Sequence, residues 1–435
     1  MQKKEFRKSY WGNMVAERVT LVVFILLLHR HLSEGSVVKP NLDPQKGTCI
    51  LDAARSANEL YLGNEDKNIL LMVFPLSKLT SYLSSFDFRT FDSEGVIFYG
   101  DIGGDYNWFV LALRDKHLEV QMTNENGQML LSMFGPNMSD GKWRKVSVDR
   151  NANIIEVRVD GEVVVSLMHY VKSSFSGHAD WKLRILIGDL PLNSSVQLLR
   201  PLNPSLDGCM RDWSWVQEEA NVLTSVMESS EHKRCFEQEE SGTYFPGDGF
   251  AEFQVASFGP DKGDGENSTV WSLTAKLLFR PVVFSGILFS IHGENQTIAL
   301  SLAMDKMKQV FTVSLLDKVF SSDQIPLDHC QSTWTQARLT IQNNQLQLKT
   351  SMAQSEYPLS DKHVRSLENI WQQPTTTIYI GGTPGLATEE SYFTGCLKMA
   401  LQGKMVEFDE AKNKHGHIRS HSCPTAIHAE ESSNL

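Results

Sequence analysis

The chain repeats itself. Gly95-Val96-Ile97-Phe98 answers to Gly286-Ile287-Leu288-Phe289, and Ile187-Gly188 to Ile380-Gly381. Gly208-Cys209-Met210 answers to Gly395-Cys396-Leu397, and Cys235 to Cys423. Asp140-Gly141-Lys142-Trp143 answers more weakly to the segment ending at Trp334. These pairs keep one order and a spacing of about 190 residues. A period that long means two copies of one domain, not a solenoid of short repeats. The 435 residues give each copy room for its own core.

Each copy reads as β-structure. Phe86-Asp87-Phe88-Arg89, Val96 to Tyr99, Trp108 to Leu113 and Leu118 to Met122 are short, alternating or wholly apolar runs bounded by Gly, Asp, Asn or Ser. Ile154 to Val163 carries Asp160-Gly161, the dipeptide of a tight hairpin turn. In the second copy Ile298 to Leu302, Val310 to Val313 and Gln336 to Ile341 continue the pattern. Many short strands with turn signals between them imply a sandwich of antiparallel sheets. Asp212 to Glu231 is the exception, polar and Glu-rich, and predicts a short helix bridging the copies.

The ends carry other signals. Lys3, Lys4, Arg7, Lys8 and Arg18 precede an apolar run from Val19 to Leu28, the pattern of a secretory signal over residues 1–35 with cleavage between Ser33 and Ser36. A run of ten residues falls short of the roughly 20 that a membrane span needs. Sequons at Asn137, Asn193, Asn267 and Asn295 fit an exported glycoprotein. An oxidising compartment lets cysteines pair. The repeat predicts Cys209 with Cys235 and Cys396 with Cys423, loops worth about 3 kcal/mol each in the chain-entropy account. Cys49 and Cys330 have no counterpart, and free, paired or intermolecular states stay open. Ser36 to Gln45 and residues 425–435 read as disordered.

Composition removes some functions. A formal net charge of −11 leaves no excess of Lys and Arg to neutralise phosphates, which argues against nucleic acid as a partner. No Gly-x-Ser-x-Gly elbow, His-Glu-x-x-His, phosphate loop or Cys-x-x-Cys occurs, so the reading is not an enzyme.

SSFDFRTFDSEGVIFYGD (84–101), NWFVLALRD (107–115), DGKW (140–143), EVRVDGE (156–162) and SLDGCMRDW (205–213) resemble a laminin G-like domain. The likeness runs from about Leu70 to Pro424, weaker in the second copy, where His421-Ser422-Cys423-Pro424 also fits. It implies an all-β fold of two tandem laminin G-like, jelly-roll antiparallel β-sandwiches, over residues 46–235 and 240–424. The tandem resembles a family of secreted sex-steroid carriers. That resemblance implies androgen or estradiol capture between the sheets of the first domain, and a homodimer. A steroid is an apolar plate with an oxygen at each end, so its site needs an apolar slot with polar poles. The family's ring-A partner falls on Ser84, and its far-hydroxyl partners on Asn107 and Asn124. The family has Asp where Asn107 stands, and a one-residue shift would make Asp105 the partner. Phe109 is the wall residue, with Met133 or Met138 beside it.

The same resemblance places calcium at Asp92, with carbonyls near Glu94 and Ser205 completing an oxygen shell. Zinc is less secure: His178 lies near a family histidine, but Glu125 stands where a second is expected. His415, His417 and His421 are further histidines near the end. The alternative reading is an extracellular adhesion or receptor-ligand protein that binds protein or glycan through the paired domains. For dimerisation, the runs Val146 to Val148 and Val163 to Leu167 are the candidate edges.

Overall fold

The computed structural model describes residues 50–427 apart from 52–53, 64–69, 103–106, 124–126, 152, 169–180, 192–197, 218–220, 260–270, 325–333, 352 and 386–390. The signal segment, Asp105, Asn124, Glu125, His178, Asn193, Asn267, Cys49 and Cys330 lie outside the described residues. Among the described residues, no helix is long and apolar enough to cross a membrane.

The first domain is two packed antiparallel sheets. One runs in the order Glu162–Met168, Ile154–Val159, Arg144–Asn151, Ser84–Thr90, Gly208–Ser214, Arg55–Tyr61, Arg234–Phe236. The other runs Leu70–Pro75, Lys182–Ile187, Gly95–Asp101, Trp108–Arg114, His117–Thr123, Met129–Phe134. Strand alternation sends Phe86, Phe88, Ile97, Leu111, Val120, Val146 and Val157 into the space between the sheets. Gly95–Asp101 is buried along its whole length, which explains its unbroken apolar run. Its outer face packs Val96 and Tyr99 with Trp108, Val110 and Leu186 under Leu190, Leu198 and Leu202.

The second domain repeats the plan. Its sheets run Thr243–Pro246, Thr394–Leu401, Leu273–Pro281, Thr335–Gln342, Gln345–Thr350, Gln354–Pro358, and Lys318–Ser321, Val310–Leu315, Ile298–Asp305, Gly286–His292, Thr377–Ile380, Ala251–Gln254, Asn413–Lys414. The repeated motifs land on equivalent strands: Gly95–Asp101 corresponds to Gly286–His292, and Gly208–Ser214 to Thr394–Leu401. Each disulfide ties its Gly-Cys strand to the end of its own domain. Cys209–Cys235 has its Cα atoms 6.1 Å apart, and Cys396–Cys423 has 6.0 Å.

Two helices depart from expectation. The helix read as a bridge is shorter, α1 (Asn221–Ser229), because Asp212 and Trp213 belong to a strand. It is not a bridge: Leu223 and Met227 are buried in the first domain's core. The second, α2 (Asp361–Trp371), was not expected. Ser360 caps it, accepting the His363 amide, and Val364, Leu367 and Trp371 turn one apolar stripe into the second core. At the C-terminus Ala426–Ile427 pairs with Ile50–Leu51, so order extends past the expected start of a disordered tail at 425.

Arg144–Asn151, one of the two candidate dimer edges, lies between two other strands and has no free edge. Among the described residues Glu162–Met168 is an outermost strand, next to Met129–Phe134, the outermost strand of the facing sheet.

Candidate functional site between the sheets

A cavity opens between the sheets of the first domain. It offers about 160 Å³ of room for solvent-sized groups, and about 900 Å³ free of protein atoms once its open mouth is counted. Its walls are mostly apolar. Phe109 and Met122, a cross-strand pair, face Val148 and Ile155 on the opposite sheet. Phe109 stacks on Phe98, with centroids 5.5 Å apart, and Phe98 meets Trp215 edge-on at 5.2 Å. These aromatic contacts fix the wall's shape. Of the methionines expected beside Phe109, Met138 is buried in the core and Met133 is partly exposed on the edge strand; neither lines the cavity. Met122 takes that place, because its position on His117–Thr123 points inward.

Ser84, Asn107 and Phe109 all line this cavity. Ser84 is 5% exposed, and its Oγ accepts the Val216 amide at 3.0 Å, which leaves the hydroxyl proton to offer. Val216 itself stands at φ 48, a left-handed conformation that β-branched residues avoid, so Ser84 helps hold a strained turn. Asn107 also sits left-handed, at φ 72, where an Asn is tolerated. Its amide donates to Thr123 Oγ1 at 2.9 Å, and its Oδ1 is buried with no hydrogen-bond partner among the described residues. A buried acceptor without a donor costs about 1–3 kcal/mol, and a ligand hydroxyl would recover it. Asp101, also on the wall, is 1% exposed and accepts from Nε and Nη2 of Arg184, at 2.8 and 2.9 Å.

The expected calcium residues lie elsewhere, at the junction of the two domains. Asp92 Oδ2 accepts the Asp207 amide at 3.0 Å, and its Oδ1 accepts the Glu94 amide at 3.2 Å. Glu94 Oε1 accepts the Asn203 amide at 3.1 Å and pairs with Arg114 at 3.5 Å. The Ser205 carbonyl packs against Gly95, where a Cβ would lie only 2.6 Å from it. The side chains that do converge on Asp92 are Asp409 and His421 of the second domain. His421 Nε2 lies 2.7 Å from Asp409 and 3.4 Å from Asp92. Burial opposes the imidazolium, but the hydrogen bond to Asp409 and the charge of Asp92 outweigh it and hold His421 up at about 9. Burial likewise opposes the Asp409 carboxylate, but His421 and Lys414 keep it well below the usual range. Burial raises the Asp92 carboxyl to about 7, with the charge of His421 opposing, and the groups that converge are two carboxyls and an imidazole, not the all-oxygen shell that calcium takes. The residues present do not fit that ion, and no step of the function below is routed through it.

His421 is therefore not a solvated tail residue: it is held between Asp409 and Asp92. His417 Nδ1 bonds Asp248 at 2.7 Å, and its ring stacks on His232 of the first domain at 3.9 Å. His415 packs against Phe250. Asp207 of the first domain accepts the backbone amides of His421 and Ser422 at 2.7 and 3.1 Å and the Ser422 hydroxyl at 2.6 Å. The sequence reading missed Asp207 and Asp409, whose partners lie far along the chain.

A sequence model of the laminin G domain matches residues 88–221, and a second laminin G domain model matches 279–402. Mouse (Mus musculus) growth arrest-specific protein 6 is 28% identical over 89% of the chain, but the chain spans only 60% of that relative's length. Sex hormone-binding globulin of Crocuta crocuta is 30% identical over 82% of the chain, which covers 86% of it. Among solved structures, domains LG4-5 of the mouse laminin alpha1 chain share the fold, with a TM-score of 0.62 at 18% identity over 88% of this chain and 99% of that one.

Proposed function

Because the chain belongs to the laminin G domain family, with two such domains in tandem, we propose that it is a secreted binding protein rather than an enzyme, and that its first domain carries sex steroids, androgens or estradiol, in the cavity between its sheets. The observation that carries this reading is Asn107 Oδ1, a buried acceptor with no partner among the described residues, beside an apolar cavity that Ser84 lines from the opposite sheet. Burial of a few hundred Å² of apolar ligand at roughly 25 cal/mol per Å² supplies most of the affinity. The poles supply orientation, because a misplaced ligand leaves Asn107 unsatisfied. Asn124 remains a proposed second partner of the far oxygen. Equilibrium binding of tritiated testosterone and estradiol to the full chain tests the reading. Saturable binding that unlabelled steroid displaces is expected; no saturable binding of either overturns it.

A second reading has its own observation. The adjacent edges Met129–Phe134 and Glu162–Met168 expose Leu131, Met133, Phe134, Val163 and Met168. Sheet edges that carry exposed apolar side chains are natural docking sites for another copy. We assign this face to a second copy of the chain, forming a homodimer; an adhesion or receptor partner on the same face is the alternative function. Glycosylation is proposed at Asn137, which is exposed in a turn where its Oδ1 accepts the Ser139 amide at 2.8 Å.

A further inference from the structure

Three charged residues line the cavity: Asp101, Asp149 and Arg150. Strand alternation separates them. Asp101 pairs with Trp108, whose side chain packs in the outer cluster, so this acid faces away from the space between the sheets. Asp149 pairs with Glu156 and lies between Val148 and Arg150, so it faces outward too. Arg150 is on the inner face. It follows Val148 by two residues and pairs with Ile155; both of these wall the cavity, and cross-strand partners share a face. Ile155 alternates in turn with Val157 and Val159, which lie in the core.

The register also fixes what Arg150 stands beside. Ser84 is opposite Val148, and Arg150 comes about 7 Å further along that strand, two residues on. Its guanidinium carbon lies 5.4 Å from the centre of the Tyr82 ring, and Tyr82 lines the cavity as well. Arg150 is half-buried there. A cation therefore stands on the inner face of a mostly apolar wall, next to the Ser84 pole. A guanidinium carries five N–H donors in a planar fork, which suits the oxygens of an anion better than a lone ketone or hydroxyl.

We propose that Arg150 makes the Ser84 end of the cavity an anion-binding subsite, so that the ligands include steroids whose ring-A oxygen carries a sulfate. The inference rests on the steroid-carrier reading, with ring A at Ser84, and names a further ligand class for the same site. The sulfate oxygens accept from the guanidinium while the rings keep the apolar wall. The formal net charge of −11 opposes any anion at long range, so the affinity has to come from this short contact.

Estradiol and estradiol 3-sulfate differ only in that group, so their tritiated forms are the probes. Equilibrium dialysis with the full chain should show saturable binding of both to the wild-type protein. Arg150→Gln should weaken the sulfate about tenfold more than estradiol. Arg150→Lys, which keeps the charge, should give a ratio between the two. Raising NaCl from about 50 mM to about 500 mM should weaken the sulfate more than estradiol in the wild-type protein, and that difference should shrink in Arg150→Gln. Estradiol bound without its sulfate, or equal losses of the two in Arg150→Gln, overturns the role of Arg150 and leaves the carrier reading standing. A wild-type protein that binds neither overturns both. A shifted ratio does not follow from loss of folding, which would weaken the two ligands alike.

Discussion

Ser84 does two jobs with one oxygen. It accepts the amide of Val216, which stands at φ 48, and keeps its proton for a ligand. Replacing it with Ala removes both. Ser84→Ala should weaken binding of 3-keto androgens by about 1–2 kcal/mol, and should also lower Tm, since the Val216 amide is left buried without an acceptor. A binding titration beside a melting curve separates the effects. Unchanged affinity with a lowered Tm would leave Ser84 a purely structural role. Ser84 was legible in the sequence through family likeness, because it opens an alternating strand whose register puts it opposite Val148.

Most strands could be read from alternation, because one face of each meets the core and a shift of one residue would expose it. Gly95–Asp101 is apolar on both faces for a different reason, the second layer of packing on its outer side. Helix α2 was readable in principle: a capping Ser360 and an apolar stripe at 364, 367 and 371 stand in its sequence. It was hidden by the β pattern on either side. What local sequence could not supply is which strands are edges. Arg144–Asn151 and Glu162–Met168 look alike as runs, yet only pairing across the sheet leaves the second one free. Phe134, 72% exposed, and Val163, 49% exposed, head the apolar face there. The double substitution Phe134→Lys, Val163→Lys should turn a dimer into a monomer by light scattering while leaving Tm nearly unchanged, because both side chains are already in water. A dimer that survives the pair moves the interface elsewhere.

At the scale of the whole chain the junction between the domains matters most. Asp207, 5% exposed, accepts three hydrogen bonds from His421 and Ser422, residues more than 200 positions away. Arg419 lies over Tyr61, 3.8 Å from the ring centroid, and donates to the Arg234 carbonyl at 2.6 Å, from the second domain to the end of the first. Asp207→Ala strands two backbone amides in the junction at about 1–3 kcal/mol each. Calorimetry should then resolve two domain transitions where the parent shows closer coupling; a single unshifted transition would deny Asp207 that role.

One group at the junction, His232, titrates abnormally. Burial, then the facing His417 and the charges of Arg55 and Arg419, push the His232 imidazole below its ordinary value, with Asp248 opposing. In the unfolded chain His232 takes up a proton near pH 6.5, which the folded form resists. The contribution of His232 to stability is therefore full above that pH and lost as pH falls through it. His232→Asn should flatten the fall in Tm between about pH 7.5 and about pH 5. An unchanged slope would place the acid-sensitive group elsewhere.

By itself the sequence determined the fold class, the duplication, the pairing of Cys209 with Cys235 and of Cys396 with Cys423, and the strand that carries Ser84. Each of these is written in local periodicity or in repeated spacing. Tertiary structure alone decided that Asp92 meets an imidazole instead of an oxygen shell, that Met122 and not Met133 or Met138 walls the cavity, and that Asn107 Oδ1 is left without a donor among the described residues. Those outcomes depend on which distant side chains arrive at one point and which lone pairs are already taken, and no local pattern encodes either.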